Sequence, residues 1–382
     1  MSEKVSVLEK MLADARIIVA LGSGGVGKTT SSIALALMAA RAGKRVGLLS
    51  IDPAKRLADA LGIPLGSELV KVEMQHPLSG SIEAAMLDQK AVFDDMVRRF
   101  APSPAAAQKI FANSIYKEVS SNLGGPLEYM ALAKLESMLK QGRYDLIVLD
   151  TPPDTHALDF LARPNILAGF IEHGVMSWMI KPFHLAQKLG AGALFKAGGK
   201  LMHGISSVTG IKMLRLLAEF LVLMEDVIVG FNRVGREVAQ SLRQNSTGFV
   251  LVSAPYENAL RSASHLMREL KAQNYPLLAM ILNRNMPFPV QATARAWPDF
   301  AALHPEWEPG LGLLTQRYRY AQELADKLQK EAQQLFQREV PLLLIEEQTQ
   351  MILSEDTLWQ FTDALRDAPL LEQLRAPGTS KS

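Results

Sequence analysis

Nine consecutive residues, Gly22-Ser23-Gly24-Gly25-Val26-Gly27-Lys28-Thr29-Thr30, constrain the fold of this 382-residue chain more than any other feature. They follow Ile17-Ile18-Val19-Ala20-Leu21, a short β-branched run stopped by glycine, which reads as a buried strand. They lead into Thr29 to Ala42, rich in Ala and Leu and free of Pro and Gly, which reads as a helix ended by Gly43. Arg45 to Ser50 reads as a second strand. Strand, loop, helix and strand within about 35 residues make a βαβ unit, and that unit implies a parallel sheet.

Five more strand-length apolar runs recur: Ser81 to Leu87, Asp145 to Leu149, Phe249 to Ser253, Leu277 to Leu282 and Pro341 to Ile345. Their near-continuous hydrophobicity suits strands covered on both faces. Helical patterns separate them over Leu127 to Gln141, Ala259 to Gln273, Arg317 to Arg338 and Asp356 to Arg366. The expectation is an α/β fold, a doubly wound, mostly parallel sheet of about seven strands. The stretches 88–140 and 164–245 are too long for simple crossovers and rich in Leu, Met, Phe and Ala. They predict a helical subdomain inserted into a single domain over 1–382, with a disordered tail over 376–382.

The loop from Gly22 fits G-x-x-x-x-G-K-[ST], and its chemistry requires those residue types. Glycines let backbone N–H groups turn inward around phosphate oxygens without a Cβ in the way. Lys28 supplies a cation for β and γ phosphates, and Thr29 a hydroxyl for Mg²⁺, which prefers oxygen ligands. The helix N-terminus that begins there adds partial positive charge. Two aspartates complete the pattern. Asp52 follows the second strand and Asp150 follows the run Asp145 to Leu149, both where α/β sheets place ligands. Asp150 fits the carboxylate that holds Mg²⁺, directly or through water, and Asp52 fits the group that orients the attacking water. Either alone would also serve as a turn or N-cap aspartate. Together with the glycine loop they predict ATP and Mg²⁺ binding, with Asp52 and Lys28 as the catalytic pair.

Composition excludes several other classes. Lys+Arg at 41 against Asp+Glu at 39 gives +2, and no basic run exceeds two residues, so no nucleic-acid partner is expected. With no cysteine there are no disulfides, thiolate zinc sites, iron–sulfur clusters or cysteine nucleophiles. The seven histidines lack ligand spacing, so neither zinc nor any metal beyond the nucleotide's Mg²⁺ is expected. The start lacks an apolar signal region, and no uncharged apolar run approaches the ~18 residues of a membrane span. A soluble, cytoplasmic protein is the expectation.

The glycine pair before Val26-Gly27-Lys28 resembles the deviant P-loop of dimerising ATPases, among them the Min and Par partition proteins and nitrogenase iron protein. GGVGKTT, then Asp52-Pro53-Ala54, then Asp150-Thr151-Pro152-Pro153-Asp154-Thr155-His156 is similar to one branch, the arsenite-pump and tail-anchored-protein-targeting ATPases. That resemblance implies a P-loop NTPase fold, Mg-dependent ATP hydrolysis and, with one P-loop per chain, a homodimer. It makes Asp52-Pro53-Ala54 switch I, with Lys55 in place of histidine, and Asp150 to His156 switch II, with Pro152, Asp154 and Thr155 as departures. It makes Asn283, in Leu282-Asn283-Arg284, the adenine reader, and Pro341-Leu342 part of the nucleotide loop. In Pro255-Tyr256-Glu257, Tyr256 displaces the family's nucleotide-contacting glutamate, and Glu257 is the candidate to replace it. Ser23 stands where the family carries a signature lysine that reaches into the partner subunit, so slow hydrolysis is expected. Lys55 or Arg56 is the candidate to compensate. The family's CxxC zinc clamp and thiolate metalloid site are absent.

Lys212 to Gln240 carries two adjoining apolar stripes, Leu217, Leu221, Met224 and Ile228, and Leu216, Phe220, Leu223 and Val227. With Met176 to Ile180, Phe195, Met202 and Met213 nearby in sequence, the segment reads equally as a groove for an apolar client helix or as ordinary core. Gly190 to Gly210 reads as a lid or a simple loop. The leading expectation is a dimeric ATPase switch that couples nucleotide state to the helical subdomain and acts on an apolar client or a membrane-protein partner in protein targeting. Alternatives are a partition or positioning ATPase, which would want a terminal amphipathic helix or basic surface, and a weakly hydrolysing scaffold.

Overall fold

The computed structural model describes residues 6–122, 127–152, 208–286, 308–348 and 354–371. Helix α1 (Val7–Asp14) precedes strand β1 (Ile17–Leu21), and α2 (Lys28–Arg41), β2 (Arg45–Ser50) and α3 (Arg56–Leu61) follow. Then come β3 (Val70–Lys71), β4 (Ser81–Met86), four helices, α4 (Gln89–Phe100), α5 (Pro104–Ala112), α6 (Ser114–Asn122) and α7 (Leu127–Gln141), and β5 (Leu146–Asp150). After helix α8 (Val208–Leu242) the chain continues through β6 (Thr247–Ser253), α9 (Glu257–Ala272), β7 (Leu277–Asn285), α10 (Glu308–Phe336), β8 (Leu342–Glu346) and α11 (Glu355–Arg366).

The strands form one sheet in the order β3-β4-β2-β5-β1-β6-β7-β8, parallel except for the β3–β4 pair. The eight strands include β3, which the sequence reading lacks. Two residues are too short to show alternation, and only pairing with β4 makes them a strand. Alternate residues enter the core under α1, α2 and α11: Ile18, Val46, Leu48, Leu146, Val148, Val250, Val252, Ala279 and Ile281 all line it. Their neighbours Ile17, Ile147, Leu149, Phe249 and Leu251 point the other way and are buried too. Both faces are therefore covered, and the strand runs are apolar throughout for that reason.

Local chemistry sets several boundaries. α1 opens with a capping box, Ser6 accepting from Glu9 N at 3.1 Å and Glu9 accepting from Ser6 N at 2.7 Å. α10 starts at Glu308, nine residues before the helical pattern that begins at Arg317. Pro309 is tolerated because the first turn's N–H groups need no intrahelical acceptor, while Gly310 and Gly312 mask the helical period in the sequence.

The described residues divide into two compact units. One holds the whole sheet with α1, α2, α3, α9, α10 and α11; the other comprises 88–137 and 208–239. In the second unit Phe93 stacks on Tyr116 with centroids 5.3 Å apart, and Arg99 makes a two-pronged ion pair with buried Glu136 at 2.5 and 2.7 Å. Along α8 one buried stripe runs through Phe220, Met224, Val227, Phe231, Val234 and Val238, in steps of four and three. That stripe draws on both stripes of the sequence reading. Leu221, Leu223 and Ile228 are half-buried and Val229 is exposed. The side chains of Met213, Leu216 and Leu217 lie outside the described residues, as do 153–207 with Met176 to Ile180, and the tail 376–382.

No described helix is long and apolar enough to cross a membrane.

Candidate active site

Everything that the sequence reading assigns to phosphate chemistry leaves the sheet at its C-terminal edge. β1 lies between β5 and β6 in the sheet, with Ala20 in register with Asp150, and Ser50 at the end of β2 is in register with Asp150 from the other side. The loop after β1 therefore sits where strands begin to be added in opposite directions, the position at which open α/β sheets bind ligands.

The loop's shape depends on two of its glycines. Gly27 has φ +93°, and a Cβ there would collide with the Asn283 amide. At Gly22 a Cβ would meet the carbonyl oxygen of Val252 on β6. Val26 is fully buried and anchors the turn, whereas Gly24 and Gly25 are exposed at its crest and Ser23 is half-buried. Gly27 then caps α2, and Lys28, Thr29 and Thr30 form the helix's first turn. Ser31 donates to Gly27 O at 2.9 Å, tightening that turn.

Lys28 and Asp150 are both withdrawn from water. Lys28 is 5% exposed and Asp150 0%. Burial pushes the Lys28 ammonium below its ordinary pKa, while Asp150 and Asp52 pull it back up. Burial pushes the Asp150 carboxyl above its ordinary pKa, against Lys28 and the hydroxyls of Thr29 and Ser50. Each charge is thus costly by itself and supported by the other. Asp150 accepts from Thr29 Oγ1 at 2.8 Å, Ser50 Oγ at 3.2 Å and Ser32 Oγ at 3.3 Å. Thr151 Oγ1 donates to Ala20 O at 2.7 Å, fixing the chain just beyond the aspartate. A carboxylate ringed by hydroxyls is an all-oxygen set of the kind Mg²⁺ takes, so Thr29 and Asp150 fit that ion.

Asp52 sits one strand over. It is 5% exposed, accepts from Ala54 N at 3.0 Å and pairs with Arg56 Nη1 at 3.2 Å. Its influence on Lys28 places it in the same electrostatic field as Asp150.

Asn283 reaches the loop from β7: its Nδ2 donates to Val26 O at 2.9 Å, and its Oδ1 accepts from Arg284 N at 2.9 Å. Its amide thus ties the end of β7 to the back of the glycine loop. Glu257 opens α9, where Tyr320 Oη donates to it at 3.0 Å and Arg261 pairs with it at 3.3 Å. Those hydrogen bonds, Tyr320's first, hold its carboxyl below the usual range. Pro341 is not brought to the glycine loop. It precedes β8, three strands from β1, and its carbonyl accepts from Met280 N at 2.8 Å, a ladder bond level with the end of β1 and not a contact with the glycine loop. Of switch II, Asp150, Thr151 and Pro152 are described, and Pro153 to His156 lie outside the described residues.

The sequence reading missed Ser32 and Ser50, which complete the ring around Asp150. Ser32 stands four residues after Lys28, one turn along the same helix face, and Ser50 is the last residue of β2. A polar residue closing a buried strand was the available signal.

Comparison with known proteins agrees with this geometry. The model of the anion-transporting ATPase family matches residues 15–300, about three quarters of the chain. "ATPase ASNA1 homolog 1" of Paramecium tetraurelia is 34% identical over 146 residues, covering 38% of this chain and 43% of that protein. "ATPase get3" of Aspergillus terreus is 35% identical over 153 residues, covering 38% and 42%, and "ATPase GET3" of Malassezia globosa is 34% identical over 146 residues, covering 38% and 41%. The match thus spans about two fifths of the length of these curated relatives.

Proposed function

The chain belongs to the anion-transporting ATPase family, and on that premise we propose that it is a slow, Mg²⁺-dependent ATPase acting as a homodimeric switch. One observation carries the reading: Lys28, Thr29 and Asp150 meet around one glycine loop, with Asp52 in reach of the same field. Lys28 and the loop's N–H groups bind and balance the phosphates. Asp52 orients a water in line with the γ-phosphorus. The water's oxygen bonds to phosphorus as the bond to the β–γ bridging oxygen breaks, ADP keeps that electron pair, and the water's proton leaves with the phosphate or to solvent. Thr29 and Asp150 would hold Mg²⁺, which supplies positive charge to the phosphate oxygens when bound.

The finer part of the proposal concerns α8. Half-buried Leu221, Leu223 and Ile228, with exposed Val229, offer apolar surface on a helix whose other side is packed. Together with Leu217 they are the candidate contact for an apolar client helix or a membrane-protein partner.

The test is turnover of the purified chain with Mg²⁺ and ATP, alone and with an apolar helical peptide, lipid vesicles or DNA. Slow turnover that the peptide changes supports the full reading. Stimulation by lipid or DNA alone turns it toward a positioning ATPase, and ADP binding without turnover toward a scaffold. Lys28→Ala should lose nucleotide; wild-type turnover in that variant sinks the loop assignment.

A further inference from the structure

The exposed side of the site has a cation on the neighbouring loop rather than on the glycine loop. Ser23 brings a neutral hydroxyl to the glycine loop, and Gly24 and Gly25 bring no side chain. Lys28 is sealed at the base. Arg56 opens α3 four residues after Asp52, and its side chain is 53% exposed. Its guanidinium reaches Asp52 Oδ2 from the solvent side, while Ala54 N already holds Oδ1. Its charge also reaches Lys28, whose pKa it helps to depress.

Phosphoryl transfer spreads negative charge over the three equatorial oxygens of the transferred group, and a guanidinium fork complements such oxygens better than a point charge. The natural water-positioning carboxylate and this guanidinium are in contact. A group bonded to Asp52 stands beside the water that Asp52 would hold, and so beside the phosphorus that the water attacks. We propose that Arg56 is a catalytic residue that supplies the transition-state cation of this site from its own chain. The Asp52 pair parks the guanidinium; during turnover it exchanges Asp52 for γ-phosphate oxygens and frees the carboxylate for water. Bonds made and broken are those of the hydrolysis above, and Arg56 neither gains nor loses a proton. The inference rests on the ATPase reading.

The experiment compares full-length wild type with Arg56→Ala, Arg56→Gln, Arg56→Lys and Lys55→Ala. It measures kcat and KM for ATP, ADP affinity by calorimetry, and capture of ADP with aluminium fluoride. Arg56→Ala and Arg56→Gln should lower kcat by about 10³-fold, the lower end for such a cation. ADP affinity should stay as in wild type, and Arg56→Lys, which keeps a cation beside the buried Asp52 carboxylate, should keep the wild-type melting temperature. Aluminium fluoride capture should be lost. Arg56→Lys should keep part of the rate, and Lys55→Ala should lose far less of it than Arg56→Ala. Equal or faster turnover in Arg56→Ala overturns the proposal, the faster case making Arg56 a restraint. So does a loss of kcat matched by lost ADP affinity, or a loss confined to Lys55→Ala. A wild type with neither turnover nor ADP binding is a different result: it removes the ATPase reading, and this step with it.

Discussion

Two neighbouring strands each deliver an aspartate to the same edge of the sheet, and the protein treats the two carboxylates in opposite ways. Asp150, at the end of β5, is closed off from water and ringed by Thr29, Ser32 and Ser50, with burial pushing its pKa up. Asp52, two residues past β2, is held by one backbone N–H and by a guanidinium that comes from solvent. The first arrangement has fixed partners and little freedom to change them. The second can exchange its partner, because the guanidinium that pairs with it is half in solvent and free to turn, although the carboxylate itself is buried. Fixed partners suit a carboxylate that holds position through a cycle; an exchangeable one suits a carboxylate that must hand over to water.

Substitutions that remove this asymmetry should break function in graded fashion. The largest effect is expected at Asp150. Asp150→Ala leaves the Thr29 and Ser50 hydroxyls without their acceptor and the Lys28 charge without its nearest support, so turnover should vanish and stability should fall by about 1–3 kcal/mol. Asp150→Asn keeps the shape and should recover much of that stability while remaining inactive. A denaturant midpoint equal to wild type in Asp150→Ala would show that the sealed pocket contributes nothing.

Asp52→Asn should be milder. Nucleotide affinity should persist while kcat drops at least ~100-fold, the lower end for a positioned catalytic group, with ATP-bound protein accumulating. Loss of ATP binding instead would make Asp52 structural and bring the two carboxylates closer in role than their different partners suggest.

Asn283→Ala should be smaller again. It removes the bond to Val26 O and should cost about 1 kcal/mol of stability, with a parallel loss of ADP affinity. Unchanged affinity would mean that the glycine loop holds its shape without that strap. The smallest effect is expected from Ser23→Lys, a modest change in turnover or in the lifetime of the ATP-bound dimer, read by single-turnover kinetics and light scattering. A large gain there would place the missing cation at position 23 and weaken the case for Arg56.

Much of this architecture is legible without coordinates. The glycine loop, its lysine and threonine, and the aspartates closing two apolar runs follow from a few adjacent residues, because phosphate and Mg²⁺ impose backbone shape and donor types locally. Strands buried on both faces announce themselves as unbroken apolar runs, so seven of the eight strands were readable. The short β3 and the Pro- and Gly-bearing start of α10 were not, since neither has a period of its own.

Amino-acid order by itself therefore determined the sheet's elements, the phosphate loop and the identity of both carboxylates. Only the tertiary structure decided which carboxylate the hydroxyls surround, that Ser32 and Ser50 complete its ring, and that Asn283 fastens Val26 across 257 positions of chain. It likewise tied Pro341 into the β7–β8 ladder and mixed the two stripes of α8 into one buried face. The reason is physical: residue type and short spacing fix local backbone and chemical capacity, but burial and partnership depend on strand order. In a parallel sheet, strand order brings together residues that the sequence keeps a hundred or more positions apart.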